Sequence, residues 1–196
     1  MNILLTGAGG FIGSHLYKEL NSEHKVFRVF YPSGYIEGQN SFSVNLTNIA
    51  AVNKLIKDLS KQQKIDAIIH LAFINGTKNF YSMPSKIIDI GIRGLLNVYD
   101  AAKYFGIKNL FIASSGEVYQ KPSIVPTPED VPLIIPDVTN PRYSYGGTKI
   151  LYELMGQHYK REEFDRVILF RPHNVYGSDM GNDHVIPELI NKIKII

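Results

Sequence analysis

Tyr145 and Lys149 stand four residues apart in Tyr143-Ser144-Tyr145-Gly146-Gly147-Thr148-Lys149, a spacing that on a helix puts both side chains on one face. A tyrosine, with a reference pKa of about 10, is a poor base at neutral pH. A neighbouring ammonium favours the phenolate and would bring it towards a useful range. The chemistry on offer is removal of a proton from an alcohol. Spacing alone does not select this pair, because Tyr99 and Lys103 repeat it. Surroundings separate the two. Tyr145 follows a proline-rich loop and a run ending in Ser114-Ser115, so a hydroxyl can meet the phenol, whereas Tyr99 falls in mid-helix ahead of the fifth strand. The plain alternative for either pair is a surface tyrosine beside a surface lysine.

The second group able to do chemistry is a set of three glycines. Ile3 to Leu5 is a short apolar run, Gly7, Gly10 and Gly13 follow at three-residue intervals, and a helical pattern begins at once. In a dinucleotide site Gly7 permits the tight turn, Gly10 lets the backbone approach a pyrophosphate, and Gly13 lets helix and strand pack closely. The pyrophosphate would sit at the helix N-terminus, where the free N–H groups of the first turn and the helix dipole favour negative charge. Gly7, Gly10, Phe11, Ile12 and Gly13 are the candidate cofactor-binding residues of this turn. A cationic nicotinamide beside Tyr145 would favour the phenolate further.

These groups need a frame, and the hydrophobic pattern supplies one. Apolar runs predict strands over residues 2–6, 25–30, 42–45, 67–71, 109–114 and 167–171. Helical periodicity predicts helices over 11–21, 48–62, 84–105 and 143–161. Ile49, Val52, Leu55, Ile56 and Leu59 give the second helix one buried face. Strands alternating with helices imply right-handed crossovers and an α/β fold, a doubly wound parallel sheet of Rossmann type with helices on both faces. Ligands in such sheets bind at the carboxyl ends of the strands, beside the reversal of strand order. Residues 116–142 hold six of the ten prolines and cannot be helix or central strand. A loop of that length is usually functional. We expect a cofactor-binding domain over residues 1–172 and the start of a substrate-binding lobe, largely missing, over 173–196.

Composition removes several classes. The net charge is +3 with lysines and arginines scattered, which offers nucleic acid no basic surface. The chain has no cysteine, so disulfides and thiolate metal sites are absent. His70, His173 and His184 are too widely spaced to frame a metal site, and His70 is expected to pack at a strand end. Ser114 and Ser115 lack the glycine elbow of a hydrolase. No apolar run approaches the roughly 20 residues of a membrane span, and the first residues lack a signal peptide's charged start. Cytoplasmic residence is the expectation.

Five motifs occur in order: the glycine turn; Asp66-Ala67-Ile68-Ile69-His70-Leu71-Ala72; Ser114-Ser115-Gly116-Glu117-Val118-Tyr119; Tyr145 with Lys149; and Arg171-Pro172-His173-Asn174-Val175-Tyr176-Gly177. Together they resemble the extended short-chain dehydrogenase/reductase family, in particular its nucleotide-sugar epimerases, dehydratases and decarboxylases. The resemblance implies a Ser115, Tyr145, Lys149 triad. Tyr145 would take a proton from a sugar hydroxyl while hydride passes to the nicotinamide, Ser115 would bond the reacting oxygen, and Lys149 would hold the nicotinamide ribose. It further implies that Asn174, with Ser115, contacts the substrate, that Asn45, Leu46, Leu71 and Ala72 line the cofactor, and that a nucleotide-diphosphate sugar is the partner. The helices over 84–105 and 143–161 often form a dimer interface in this family, which implies a homodimer.

Glu117 matches a carboxylate that dehydratases and uronate decarboxylases of the family often carry two residues beyond the reactive hydroxyl. A second base there could remove a proton beside a new ketone or steer decarboxylation; the alternative is a glutamate that caps the loop. Three positions depart from the pattern. Phe30 replaces the acid that ends the second strand and binds the adenosine ribose, which leaves NAD the expected cofactor with NADP open, since Arg28 lies inside that strand rather than at its end. Asn45 replaces an aspartate, and Gly91 replaces an asparagine in the long helix at a cost of about 1 kcal/mol relative to alanine. Family members are also longer, so a non-catalytic dinucleotide-binding sensor, or an inactive truncated member, is the competing expectation.

Overall fold

The computed structural model describes residues 1–181 and 185–193; His184 lies outside them. Six strands, β1 (Asn2–Thr6), β2 (Lys25–Phe30), β3 (Ser41–Ser43), β4 (Ala67–His70), β5 (Asn109–Ala113) and β6 (Arg166–Phe170), form one sheet in the order β3-β2-β1-β4-β5-β6. Every neighbouring pair is parallel. The chain winds outward from β1 to β3, returns to the middle, and winds outward again from β4 to β6. The order therefore reverses between β1 and β4, and the crevice for a ligand opens above their carboxyl ends.

Alternation along each strand sorts the core into two layers. Leu4, Phe27, Val29, Ile68, Leu110 and Ile112 face α2 (Ile49–Ser60), α4 (Pro84–Tyr104) and α5 (Tyr143–Glu163), where they meet Val52, Ile56, Leu95, Val98 and Tyr152. Ile3, Leu5, Val26, Phe30 and Ile69 face the other way, towards Leu16, Tyr17 and Leu20 of α1 (Phe11–Leu20). The helix α2 starts where the Asn48 side chain accepts from the Ala51 N–H at 3.1 Å, an N-cap that satisfies one of the first-turn donors. The helix α4 starts on Pro84, a residue suited to a first turn because it has no N–H to orphan.

The expected elements are present, with differences that have local causes. The third strand stops at Ser43 because Asn45 folds back: its Oδ1 accepts from the Thr47 N–H at 3.0 Å and from the Thr47 hydroxyl at 2.9 Å. A short helix, α3 (Thr77–Ser82), lies between β4 and α4, where no periodicity announced it. Gly91 has a packing reason in mid-helix. A Cβ there would fall 2.6 Å from the Phe73 ring and 2.9 Å from Thr148, and its carbonyl accepts from the Tyr152 hydroxyl at 3.0 Å. Residues 171–181 form no helix or strand, and α6 (Val185–Ile193) follows. No helix among the described residues is long and apolar enough to cross a membrane.

The sharpest packing constraint is at the first turn. A Cβ on Gly13 would stand 2.2 Å from the Gly7 carbonyl oxygen. Gly13→Ala is expected to lower stability by about 3 kcal/mol, measured by urea unfolding, whereas Gly10, whose Cβ would meet nothing nearer than 3.4 Å, should tolerate alanine within about 1 kcal/mol.

Candidate active site

The turn from β1 into α1 forms the floor of the crevice. Gly7 has φ +72°, a left-handed conformation that favours glycine, and a Cβ on it would lie 2.7 Å from the Ala72 nitrogen and 2.9 Å from the Leu71 carbonyl carbon. Two of the expected cofactor-lining residues are thereby pressed against the first glycine. Gly7 and Gly13 are thus required by the protein itself. Gly10 is not, since only the Gly7 oxygen comes near it; the absent side chain leaves room on the ligand side. No side chain caps α1, so the N–H groups of Phe11, Ile12 and Gly13 stay available to an anion. The residues present fit a dinucleotide diphosphate.

Asn45 and Leu46 lie at the second wall. The Leu46 carbonyl accepts from Asn97 Nδ2 at 2.7 Å, which ties this loop to α4. The carbonyl of Asn45 takes over turn-closing bonds that an aspartate carboxylate would accept equally well. The end of β2 differs more. Phe30 is buried at 2% exposure, packs within 3.0 Å of where a Gly9 Cβ would be, and meets Tyr35 edge-on at 6.0 Å.

Across the crevice, β5 ends at Ala113 and leads into Ser114, Ser115 and a single 3₁₀ turn, Gly116–Val118. The Ser115 oxygen accepts from the Glu117 N–H at 3.2 Å, and its side chain lies near enough to the Tyr145 phenol to act on its titration. Tyr145 is sandwiched by aromatic rings: Phe80 of α3 stacks on it at 4.9 Å and Phe73 meets it edge-on at 5.1 Å. Burial pushes the phenol above its ordinary value; the Ser115 hydroxyl opposes the rise and the Glu117 charge adds to it. The expected lowering by Lys149 is therefore not what the structure displays. Lys149 is 3% exposed, donates to the Ala113 carbonyl at 2.7 Å, and lies 4.3 Å from the ring centres of Phe73 and Tyr152 but 5.7 Å from that of Tyr145. Burial brings its pKa down to about 7.

The look-alike pair takes another path. Tyr99 is core at 1% exposure, while Lys103 forms an ion pair with Glu163 on the surface. Identical spacing thus yields one pair under the crevice and one at the opposite end of α4. His70 packs at the end of β4, with Nδ1 2.9 Å from the Thr6 hydroxyl, and burial beside Lys149 lowers its pKa to about 3, so the ring is neutral.

Glu117 is paired with Arg142, Oε1 to Nη2 at 2.8 Å, and Arg142 lies over the Phe80 ring at 5.3 Å. Gly116 carries no side chain because His173 lies there: a Cβ would fall 2.5 Å from the imidazole, which stacks on Tyr119 at 6.0 Å. Asn174, next in the chain, is exposed. Behind this layer Glu153, 7% exposed, accepts from the Ser114 hydroxyl and from Arg171 through two bonds of 2.7 and 2.6 Å. Arg171 also donates to the Tyr119 hydroxyl at 2.6 Å and to the Glu129 carbonyl at 3.0 Å. Phe73, Phe80, Arg142 and Glu153 escaped sequence reasoning; Arg142 alone carried a signal, as a cation three residues ahead of Tyr145. Among the described residues no group of three His, Asp or Glu side chains could hold a metal ion.

Lys149 titrates differently folded and unfolded, which fixes a sign. Unfolded, it holds its proton up to about pH 10.5; folded, it loses it near 7. Between those values the unfolded chain binds more protons, so this group's penalty is full below pH 7 and is relieved as pH rises towards 10.5. Lys149→Met should therefore melt higher than the parent by about 2–4 °C at pH 6–7, and the difference should shrink by pH 10; a constant difference across calorimetric scans would contradict the burial.

A model of the NAD dependent epimerase/dehydratase family matches residues 3–195. The dTDP-D-glucose 4,6-dehydratase of Dictyostelium discoideum is 26% identical over 96% of this chain and 47% of its own length. The UDP-glucose 4-epimerase of Lactobacillus helveticus is 27% identical over 94% of this chain and 56% of its own. The chain thus spans about half the length of these curated relatives. Among solved structures, a UDP-galactose 4-epimerase superposes with a TM-score of 0.80 at 25% identity, covering 100% of this chain and 63% of that one. MoeE5 in complex with UDP-glucose and NAD superposes with a TM-score of 0.76 at 27% identity, covering 97% and 60%.

Proposed function

The chain belongs to the NAD dependent epimerase/dehydratase family, and from that premise we propose that it binds NAD and a nucleotide sugar and works by transient oxidation of a sugar hydroxyl. The observation that carries this reading is the nearness of the Ser115 hydroxyl to the Tyr145 phenol beyond the end of β5, across the crevice from the glycine turn. NAD, when bound, supplies the hydride acceptor. The chain's own residues do the rest. Gly7, Gly10 and the first turn of α1 receive the diphosphate. Ser115 fixes the reacting oxygen, and Tyr145 takes its proton. Lys149, once drawn from the Ala113 carbonyl towards the ribose, supplies a cation that favours the phenolate. Glu117 stands two residues from Ser115 as the base for a proton beside the resulting ketone, with Asn174 on the substrate side. Epimerisation or elimination then precedes return of the hydride.

A second reading, a dinucleotide-binding protein without turnover, draws on Lys149, which is engaged with the Ala113 carbonyl rather than free. Incubation with NAD and UDP-glucose or dTDP-glucose, followed by NMR of the sugar, separates the two: new sugar signals support the enzyme, and unchanged substrate supports the binder. Tyr145→Phe should reduce turnover by about 10²–10⁴-fold with NADH affinity within about twofold; full activity would remove Tyr145 from the chemistry.

Assembly belongs to the same proposal. A groove of about 400 Å³ runs between α4 and α5 on the side away from Lys149, lined by Ile88, Ile92, Gly147 and Leu151. Ile88, Leu151 and Leu154 are 47%, 38% and 55% exposed. We assign this face to a homodimer in the cytoplasm. Light scattering should show a dimer that Leu154→Glu converts to monomer; a parent monomer at high concentration would overturn the assignment.

A further inference from the structure

The loop that leaves β4 contains a peptide bond able to alter itself. Asn75 and Gly76 lie between Ile74 and α3, and they are the one Asn-Gly pair in the chain. A backbone nitrogen can attack the side-chain amide of the asparagine before it and close a five-membered ring. Glycine obstructs that approach least, because no Cβ stands beside its nitrogen.

Local geometry favours the attack. The Gly76 N–H lies 2.8 Å from Asn75 Oδ1 and, among the described residues, makes no other hydrogen bond. The nitrogen is thus held against the very amide it would attack, with no helix or strand partner to restrain it. Gly76 has φ +109°, a conformation that residues with side chains rarely adopt. Asn75 is exposed, so water and base reach it. Its main-chain carbonyl, the other half of the same peptide unit, accepts from Asn79 Nδ2 at 2.7 Å. That bond draws electron density from the Gly76 nitrogen and makes its proton easier to remove. Asn45, Asn79 and Asn97 precede Leu46, Phe80 and Val98, whose side chains crowd the corresponding nitrogen.

We propose that Asn75 is a site of spontaneous modification, converted through a cyclic imide to aspartate and isoaspartate, and that the change unseats α3 from Tyr145. The Gly76 nitrogen gives its proton to hydroxide and bonds to Asn75 Cγ. The Cγ–Nδ2 bond then breaks, and the side-chain amide leaves as ammonia. Water opens the imide: cleavage at Cγ leaves aspartate, and cleavage at the main-chain carbonyl leaves isoaspartate, whose backbone is one bond longer. Water enters, ammonia departs, and a carboxylate stands where an amide stood.

Position supplies the consequence. Phe73 lies before the pair and Phe80 after it, and these two rings enclose Tyr145 at 5.1 and 4.9 Å. The Gly76 carbonyl accepts from the N–H groups of Asn79 and Phe80 at 2.9 and 3.3 Å, so it founds α3. A longer link displaces that carbonyl from β4, and a helix of six residues is too short to persist unaided.

The test follows the full chain through incubation at mildly alkaline pH, with peptides read by mass spectrometry. Asn75 should gain one dalton at least tenfold faster than any other asparagine, and the product should accept a methyl group from S-adenosylmethionine under an isoaspartyl methyltransferase. Asn75→Gln, which would have to close a larger ring, should lose the fast gain. The modified fraction, separated by its added charge, should exchange amide hydrogens over residues 77–83 at least tenfold faster than fresh protein, with residues 109–113 unchanged. A gain at Asn75 no faster than elsewhere overturns the site, and a fast gain with unchanged exchange over 77–83 overturns the link to Tyr145. If Asn75→Gln fails to fold by circular dichroism, the parent's pH dependence decides: a gain that rises with hydroxide supports the attack, and one indifferent to pH rejects it.

Discussion

Everything in this molecule is referenced to the contact between Gly13 and the carbonyl of Gly7. Because neither residue carries a side chain, the first turn of α1 sits directly on the end of β1, and Gly7 sits against the backbone at Leu71 and Ala72. Two strand ends and one helix N-terminus are thereby brought within a backbone's thickness of one another at the reversal of strand order. The donors of α1 are presented at a height above the sheet set by that contact. Gly10, free of any such constraint, leaves open space on the side assigned to the proposed diphosphate.

The reactive groups are governed by burial as much as by one another. Tyr145 and Lys149 share a helix face, as their spacing requires, yet each is shifted chiefly by loss of water: the phenol upward, the ammonium downward. Both shifts favour the neutral forms. The phenol is uncharged at neutral pH, and the amine changes charge near pH 7, so the arrangement is poised to respond to its ligands. The aromatic enclosure of Phe73 and Phe80 is what creates this state.

Much of the architecture was legible because parallel strands buried on both faces read as apolar runs: Ile3 to Leu5 and Ala67 to Ile69 are unbroken, and Val26 to Phe30 is interrupted only by Arg28. The helix α2 was legible from five apolar residues on one face. The short α3 was not, because six residues carry too little periodicity to register. In the site, the glycine turn and the nearness of Ser115 to Tyr145 could be read from order and spacing. The Ala113 bond of Lys149 could not, since a backbone carbonyl leaves no mark in sequence. Nor could the pairing of Glu117 with Arg142, which joins positions 25 residues apart through the proline-rich loop. Gly91, which looked like a departure from a pattern, proved to be a place where Phe73 occupies the space, as His173 does at Gly116.

That loop has a mechanical character set by Arg171. One guanidinium joins the buried Glu153 to the Tyr119 hydroxyl and to the backbone at Glu129. Peeling the loop away would leave the Glu153–Arg171 pair intact but break the bonds that Arg171 donates to Tyr119 and Glu129, at about 1.5–3 kcal/mol each. The segment is accordingly pinned at two points, Tyr119 and Glu129, to a cation that the buried Glu153 holds in place.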